Sequence, residues 1–225
     1  MQQLQGGICV MFDDIDINLI LKNIHSGEIK PESIPSIDLY MDQVITLFEN
    51  SMSDTRTDSD DKMMTKTMIN NYSKDKLIFP VKNKKYGKSH IIMLVLIYTL
   101  KQGLSMQDIK SILSPFLSPN EKNPRDITSE LDEIYRIFLD LNQKEAEDAV
   151  EKFKKRSEDI INAISETSPD RDYKQLIMMI LMLIYNANIQ MKFAENLISE
   201  FLKKSTPIKD IKKSTPSKDK KNKEL

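Results

Sequence analysis

Glycine is scarce, with five residues in 225, and no GxxxxGK or GxGxxG string is present to cradle a phosphate. An ordinary nucleotide-using enzyme is therefore not expected. The single cysteine, Cys9, cannot build an internal disulfide framework, a zinc ribbon or an iron–sulfur cluster. Two histidines, His25 and His90, stand far apart and leave little material for a His-based metal site or triad. Net charge is also nearly absent: 33 basic residues against 34 acidic ones give −1, so no global field recruits nucleic acid or membrane. Long hydrophobic runs are missing too. The longest, Leu176–Tyr185, spans about half of the ~20 residues a bilayer crossing needs. Met1–Phe12 has no basic residue, and its apolar part stops at Asp13-Asp14, so it does not read as a signal peptide. The expectation is a cytoplasmic protein that does not enter a membrane, with no catalytic residues, no cofactor and no metal.

What the chain does have is helical pattern. Apolar positions recur at helical spacing after Ile34-Pro35-Ser36, through Leu39, Met41, Val44, Ile45, Leu47 and Phe48. The stretch 49–62, rich in Ser, Thr and Asp, reads as a solvated loop. Thr65 is a good N-cap for a short helix to about Asp75. Pro80 ends any helix before it, and Val81–Tyr86 reads as a small basic hairpin or wing. Ser89–Lys101 reads as a buried helix with Gly103 as its left-handed stop, and Ser105 caps another helix to about Leu113. Pro115, Pro119 and Pro124 predict a linker. Beyond it, Ile127, Leu131, Ile134, Phe138 and Leu141 form one amphipathic stripe, and Asn142 with Glu145 predicts a restart. A last helix begins at Ser168-Pro169-Asp170 and runs to about Lys204, apolar nearly all round between Leu176 and Tyr185. The tail carries a nine-residue repeat, KKSTP twice, with nine lysines against three acids, and reads as disordered.

Charge, balanced overall, is segregated locally. From Thr65 to His90 there are seven lysines and one acid, whereas Ser26–Met64 holds nine acids and three basic residues. A basic short helix and a basic hairpin framed by apolar helices is the pattern a winged helix-turn-helix offers to DNA. Asn70 and Asn71 carry the paired donor and acceptor that suit adenine, and Thr67 suits a thymine methyl or a phosphate. Lys66 and Lys74 on the helix, and Lys82, Lys84 and Lys85 on the wing, suit phosphates.

The segment Thr65–Leu113 also resembles the DNA-binding domain of MerR-type transcription regulators. Tyr72 falls at the end of that family's recognition helix, Leu77-Ile78 with Pro80 at its exit into the wing, and Tyr86 at the last tyrosine of the wing. Leu100–Leu113 matches its second helix pair. The strings Ile34–Val44 and Thr65–Tyr72 are similar to the YkrK-like family of uncharacterised bacterial proteins, a domain of unknown function regarded as MerR-like. Asn70, Asn71 and Lys76 depart from the MerR pattern, which favours an arginine, an aromatic and a glycine there. The resemblance implies Tyr86 as a wing anchor and carries over no effector site.

The expected fold is all-α with a small β-wing: a MerR-like winged helix-turn-helix followed by a C-terminal helical bundle. The expected divisions are an N-terminal extension with a short helix (1–33), the winged unit (34–113), a proline-rich linker (114–125), a helical dimerisation region (126–204) and a basic tail (205–225). The expected function is a sequence-specific DNA-binding transcriptional regulator. Its partners are double-stranded DNA and a second copy of itself, met through Leu176, Ile180, Leu183, Ala187, Met191, Ala194, Ile198 and Phe201. The competing reading is a protein-interaction module with a winged-helix fold that no longer binds DNA.

Overall fold

A computed structural model describes residues 16, 19–20, 28–51, 64–117 and 124–203. Most of the expected N-terminal extension, most of the acidic loop, Pro119 and the basic tail lie outside the described residues. The chain is mostly helical with one small antiparallel sheet, as expected. A 3₁₀ turn, Pro31–Ser33, leads to strand β1 (Leu39–Tyr40) and directly into helix α1 (Met41–Ser51). Helices α2 (Lys66–Lys74), α3 (Lys88–Lys101) and α4 (Met106–Leu117) follow, with strand β2 (Lys85–Tyr86) between α2 and α3. Two long helices, α5 (Pro124–Ala163) and α6 (Arg171–Leu197), complete the fold, and α6 continues as a π-helical segment, Ile198–Lys203. β1 pairs with β2 so that Leu39 faces Tyr86 and Tyr40 faces Lys85.

The core is organised around α3. Ile91, Ile92, Met93, Leu94, Val95 and Ile97 are all buried, because β2, α4 and α5 pack around this helix. A helix apolar on every side is stable only when every side is covered, and each such side chain contributes roughly 1.5–3 kcal/mol on burial. Val44 and Phe48 of α1, Ile69 and Tyr72 of α2, and Ile109 and Leu113 of α4 join the same cluster.

The folded unit does not stop at 34–113. Ile29 at one end, and Leu131 and Tyr135 of α5 at the other, belong to the same core. The Tyr135 hydroxyl donates to the Ile29 carbonyl at 2.7 Å, wholly buried. This bond corrects the stripe expected for α5: Tyr135 is buried, while Ile134 and Leu141 are exposed. A tyrosine can occupy a core position when its hydroxyl finds a partner, and that partner is 106 residues away in sequence. Around it lies an ionic network. Lys88 pairs with Asp132 at 2.5 Å, Asp132 with Arg136 at 3.1 Å, and Arg136 with Glu32. Burial alone would raise the Asp132 carboxyl, but hydrogen bonds from Lys88 and Arg136 hold it below the usual carboxylate range. The Arg136 hydrogen bond does the same for Glu32.

Other boundaries also differ from expectation. α5 is one unbroken helix of 40 residues, about 60 Å long at 1.5 Å per residue. No restart occurs at Asn142, whose side chain instead donates to Glu28 at 3.3 Å. Pro115 lies inside α4 rather than in a linker, and the Ser111 carbonyl that it leaves without an amide donor accepts from the Ser114 hydroxyl at 2.9 Å. α6 starts at Arg171 after Asp170 in a left-handed conformation, so Ser168 is not its N-cap. Gly103 does follow the end of α3, but no glycine among the described residues has positive φ. Gly103 lies against the end of the Met191 side chain of α6: a Cβ there would stand 2.6 Å from its sulfur, and the flexible thioether would have to shift.

His90 sits at the third position of α3, and its Nδ1 accepts from the Gly87 amide at 3.2 Å, satisfying the N-cap residue's own N–H. Its ring lies edge-on to Phe79 and Tyr86, at 5.9 and 5.7 Å between centroids. Burial lowers its pKa, and the backbone carbonyls of Pro80 and Phe79 and the charge of Asp38 only partly oppose this.

Two outcomes follow. Tyr135→Phe leaves the buried Ile29 carbonyl without a donor, and equilibrium urea unfolding of that variant is expected to show a loss of roughly 1–3 kcal/mol; unchanged stability would remove the bond from its structural role. For His90, a folded-state pKa below the unfolded value near 6.5 means that the unfolded chain takes up the proton more readily. Its contribution is therefore present above about pH 6.5 and lost as pH falls below it, before the low-pKa carboxylates Asp132 and Glu32 titrate. His90→Gln keeps a side-chain acceptor for the cap but cannot titrate. Its stability is expected to be flat from pH 7.5 to 5 where the parent protein's declines, and parallel profiles would refute the assignment.

Candidate nucleic-acid interface

Helix α2 is nine residues long, and its construction sorts its side chains cleanly. Thr65 caps it, accepting from the Met68 amide at 3.2 Å, as its sequence predicts. Ile69 and Tyr72 point into the core and Met68 is half-buried. At 100° per residue this leaves Lys66, Thr67, Asn70, Asn71 and Lys74 on the opposite side, and all five are exposed. The expected helical contacts thus share one face.

The helix ends in a Schellman arrangement. The Leu77 amide donates to the Tyr72 carbonyl at 2.8 Å and the Lys76 amide to Ser73 at 3.1 Å. Lys76 takes the left-handed position, φ 55°, that glycine usually fills. Burial of Leu77 and Ile78 offsets that strain, and their insertion fixes where the following segment leaves the core.

That segment is smaller than a full hairpin wing. Lys82 and Lys85 form an isolated bridge, closed by the Lys85 amide on the Lys82 carbonyl at 3.0 Å. Asn83 and Lys84 between them have φ of 52° and 58°, the signature of a type I′ turn. Its second strand, Lys85–Tyr86, builds its ladder with β1 instead, and β1 leads straight into α1. The sheet therefore ties the turn to the helix pair. Lys82, Asn83 and Lys84 are exposed at the tip. Lys85 is half-buried, with its ammonium 5.3 Å from the centre of the Tyr40 ring. Tyr86 is buried beneath, consistent with an anchor and not with a contact, and burial raises its hydroxyl pKa.

The seven lysines counted between Thr65 and His90 are not equally free. Lys88 is bound to Asp132 and faces away into the ionic network. Lys66 reaches Asp42 of α1 at 2.6 Å, but both side chains are well exposed, and such a pair is worth about 0–1 kcal/mol. A phosphate competes for Lys66 at little cost. Tyr40 is the surface residue the sequence reading missed. It is 54% exposed and meets the turn only because Tyr40 and Lys85 are register partners. A two-residue strand has no periodicity that would have disclosed it.

The residues expected at a dimer interface are divided. Ile180, Leu183, Ala187 and Phe201 are exposed, and Leu176, Met191 and Ala194 are half-buried. Ile198 is already buried within the chain, in the π-helical segment that packs against α4. It is thus a contact of one copy with itself.

Comparison with known proteins matches the limits of the folded unit. No curated protein and no solved structure matches the chain. One family model does, over residues 29–138, and these limits run from the carbonyl that Tyr135 grips to the phenylalanine stacked on Tyr135. Residues 29–138, which contain α2, the turn and the start of α5, match the model of DUF1836, described as a domain of unknown function.

Proposed function

We propose that this protein is a sequence-specific DNA-binding transcriptional regulator in which α2 enters the major groove and the Lys82–Lys85 turn grips the flanking phosphates. The observation that carries this reading is the exposed face of α2. Two asparagines and a threonine are bracketed by Lys66 and Lys74, on a helix whose other face is locked into the core. Asparagine amides make paired hydrogen bonds with adenine, which gives base discrimination, while lysines on either side hold the sugar–phosphate rails. The order of elements supports a MerR-like winged helix-turn-helix: strand, helix, exposed helix, basic turn, returning strand and a second helix pair. Tyr40 joins the interface beside Lys85, with its ring edge available to the backbone sugar.

The reduced turn bears on the competing reading. A short wing with Lys85 held over Tyr40 offers fewer phosphate contacts than a full hairpin, and a domain of this shape that lacks DNA affinity would serve as a protein-interaction module.

Anisotropy of labelled duplexes from the upstream region of its own gene separates the two. Saturable binding should weaken with salt at a log–log slope of about −3 to −4 per chain, in line with roughly four neutralised phosphates. Lys84→Glu/Lys85→Glu should abolish it. Asn71→Ala should lose roughly 1–3 kcal/mol on the preferred duplex and little on unrelated sequence. A salt-insensitive signal, or binding that survives the charge reversal, would refute the assignment of the turn. No binding to any duplex in a genomic selection would favour the interaction module.

A further inference from the structure

α6 is apolar nearly all round, yet most of it is uncovered. Gln175 and Met179 are its only fully buried side chains and they face α5. On the opposite side, Tyr173, Ile177, Ile180 and Ile184 are 64, 38, 50 and 58% exposed. These four share one face, β-branched at three positions, within a wider exposed apolar surface that includes Met178, Leu181, Met182, Leu183 and Tyr185. The hairpin that α6 forms with α5 is thin. Its core consists of Ile160 and Met179, with only Phe153, Ile161 and Ile164 packed against them. Gln175 occupies part of the contact, and its buried amide pairs with nothing among the described residues. An open groove of about 480 Å³ runs along one flank, lined by Ile160, Ile164, Met178 and Met182 together with four charged residues of α5.

We propose that this surface is a homodimer interface: the α5–α6 hairpins of two copies close into a four-helix bundle around the seam Tyr173, Ile177, Ile180 and Ile184. Area supports it. Among the described residues, twelve large hydrophobic side chains between Tyr173 and Phe201 are exposed. They leave on the order of 1,000 Å² uncovered, above the ~300–600 Å² of a monomer's largest patch and comparable with the ~800 Å² each partner gives to a standard interface. Layering supports it as well. Two helices alone do not enclose a core, whereas two such hairpins bury their inner faces on each other. A two-fold pair also makes the same stripe complementary to itself, with no second surface required.

A bilayer is the other environment for an apolar helix. By length and composition Arg171–Leu202 qualifies, with a mean hydropathy of 1.4 over its best window. The far end of the helix argues for the second copy: there Met191 rests on Gly103 and Ile198 is buried beside α4. Lipid cannot surround a helix that is built into the folded unit over its last turns.

Light scattering on the full chain without DNA tests the interface independently of the DNA-binding proposal. Mass is followed across roughly 1–100 µM, since association depends on concentration. The expected mass is twice the 26.1 kDa of one chain. Ile177→Glu/Ile184→Glu should halve it with the helical circular dichroism retained, while Ile37→Glu, at a 70% exposed residue near β1, should leave the dimer intact. If the double glutamate variant loses its helical signal, Ile177→Ala/Ile184→Ala replaces it and should raise the dimer dissociation constant at least tenfold. A monomer at the highest concentration, or a dimer untouched by the folded seam variants, would overturn the proposal. So would a monomer that sediments with phosphatidylglycerol vesicles through the same isoleucines, which would assign the face to lipid.

Discussion

The docking of α5 onto the first hundred residues is the constraint on which the rest of this structure depends, and the Tyr135–Ile29 hydrogen bond lies at its centre. α3 is apolar on all sides, so it is stable only when a fourth wall closes over it. The first half of α5 is that wall: Leu131 and Tyr135 enter the core, and Lys88, Asp132, Arg136 and Glu32 form an ionic border at its edge. Lys88 and Asp132 are half-buried, whereas the outer Arg136–Glu32 pair is exposed and adds little stability. Because α5 continues unbroken for 40 residues, the same helix that closes the core also carries the hairpin with α6. Anything that fixes the hairpin therefore fixes the orientation of α2 and the turn.

The exposed basic surface rests on unusual backbone choices. Lys76, Asn83 and Lys84 all adopt left-handed conformations in a chain that has few glycines to spare for them. Each costs about 1 kcal/mol relative to glycine. In return, the turns at the end of α2 and before β2 carry side chains, two of them lysines, where glycine would offer none. Burial of Leu77, Ile78 and Tyr86 on either side makes those conformations affordable. The same logic explains Tyr40, an exposed ring held beside a half-buried lysine at the sheet's one paired edge.

The DUF1836 match over 29–138 and the main hydrophobic core share their limits, and the hairpin of α5 with α6 extends beyond both. The fold and the candidate surface were legible to different depths. Thr65 and Ser105 were readable as caps because capping is a local property that depends on residues three or four apart. The exposed set Lys66, Thr67, Asn70, Asn71 and Lys74 emerged intact for the same reason. Tyr40 and the reduced wing were not readable, since a two-residue ladder has no pattern.

Composition and spacing settled what is local in this protein: helices, their caps, the basic stretch from 65 to 90, and an apolar final helix in need of cover. Tertiary contacts decided what is distant. Gly103 looked like a left-handed helix stop; it follows the helix end without positive φ and lies against Met191. Tyr135 stood outside the expected stripe and is a core residue, because its hydroxyl finds the carbonyl of Ile29. Asn142 looked like a cap and lies within a continuous helix, its amide turned to Glu28. In each case the deciding partner stands about ninety or more residues away. A short sequence window records a residue's own preferences, whereas burial and pairing across such distances depend on which surfaces the folded chain brings together.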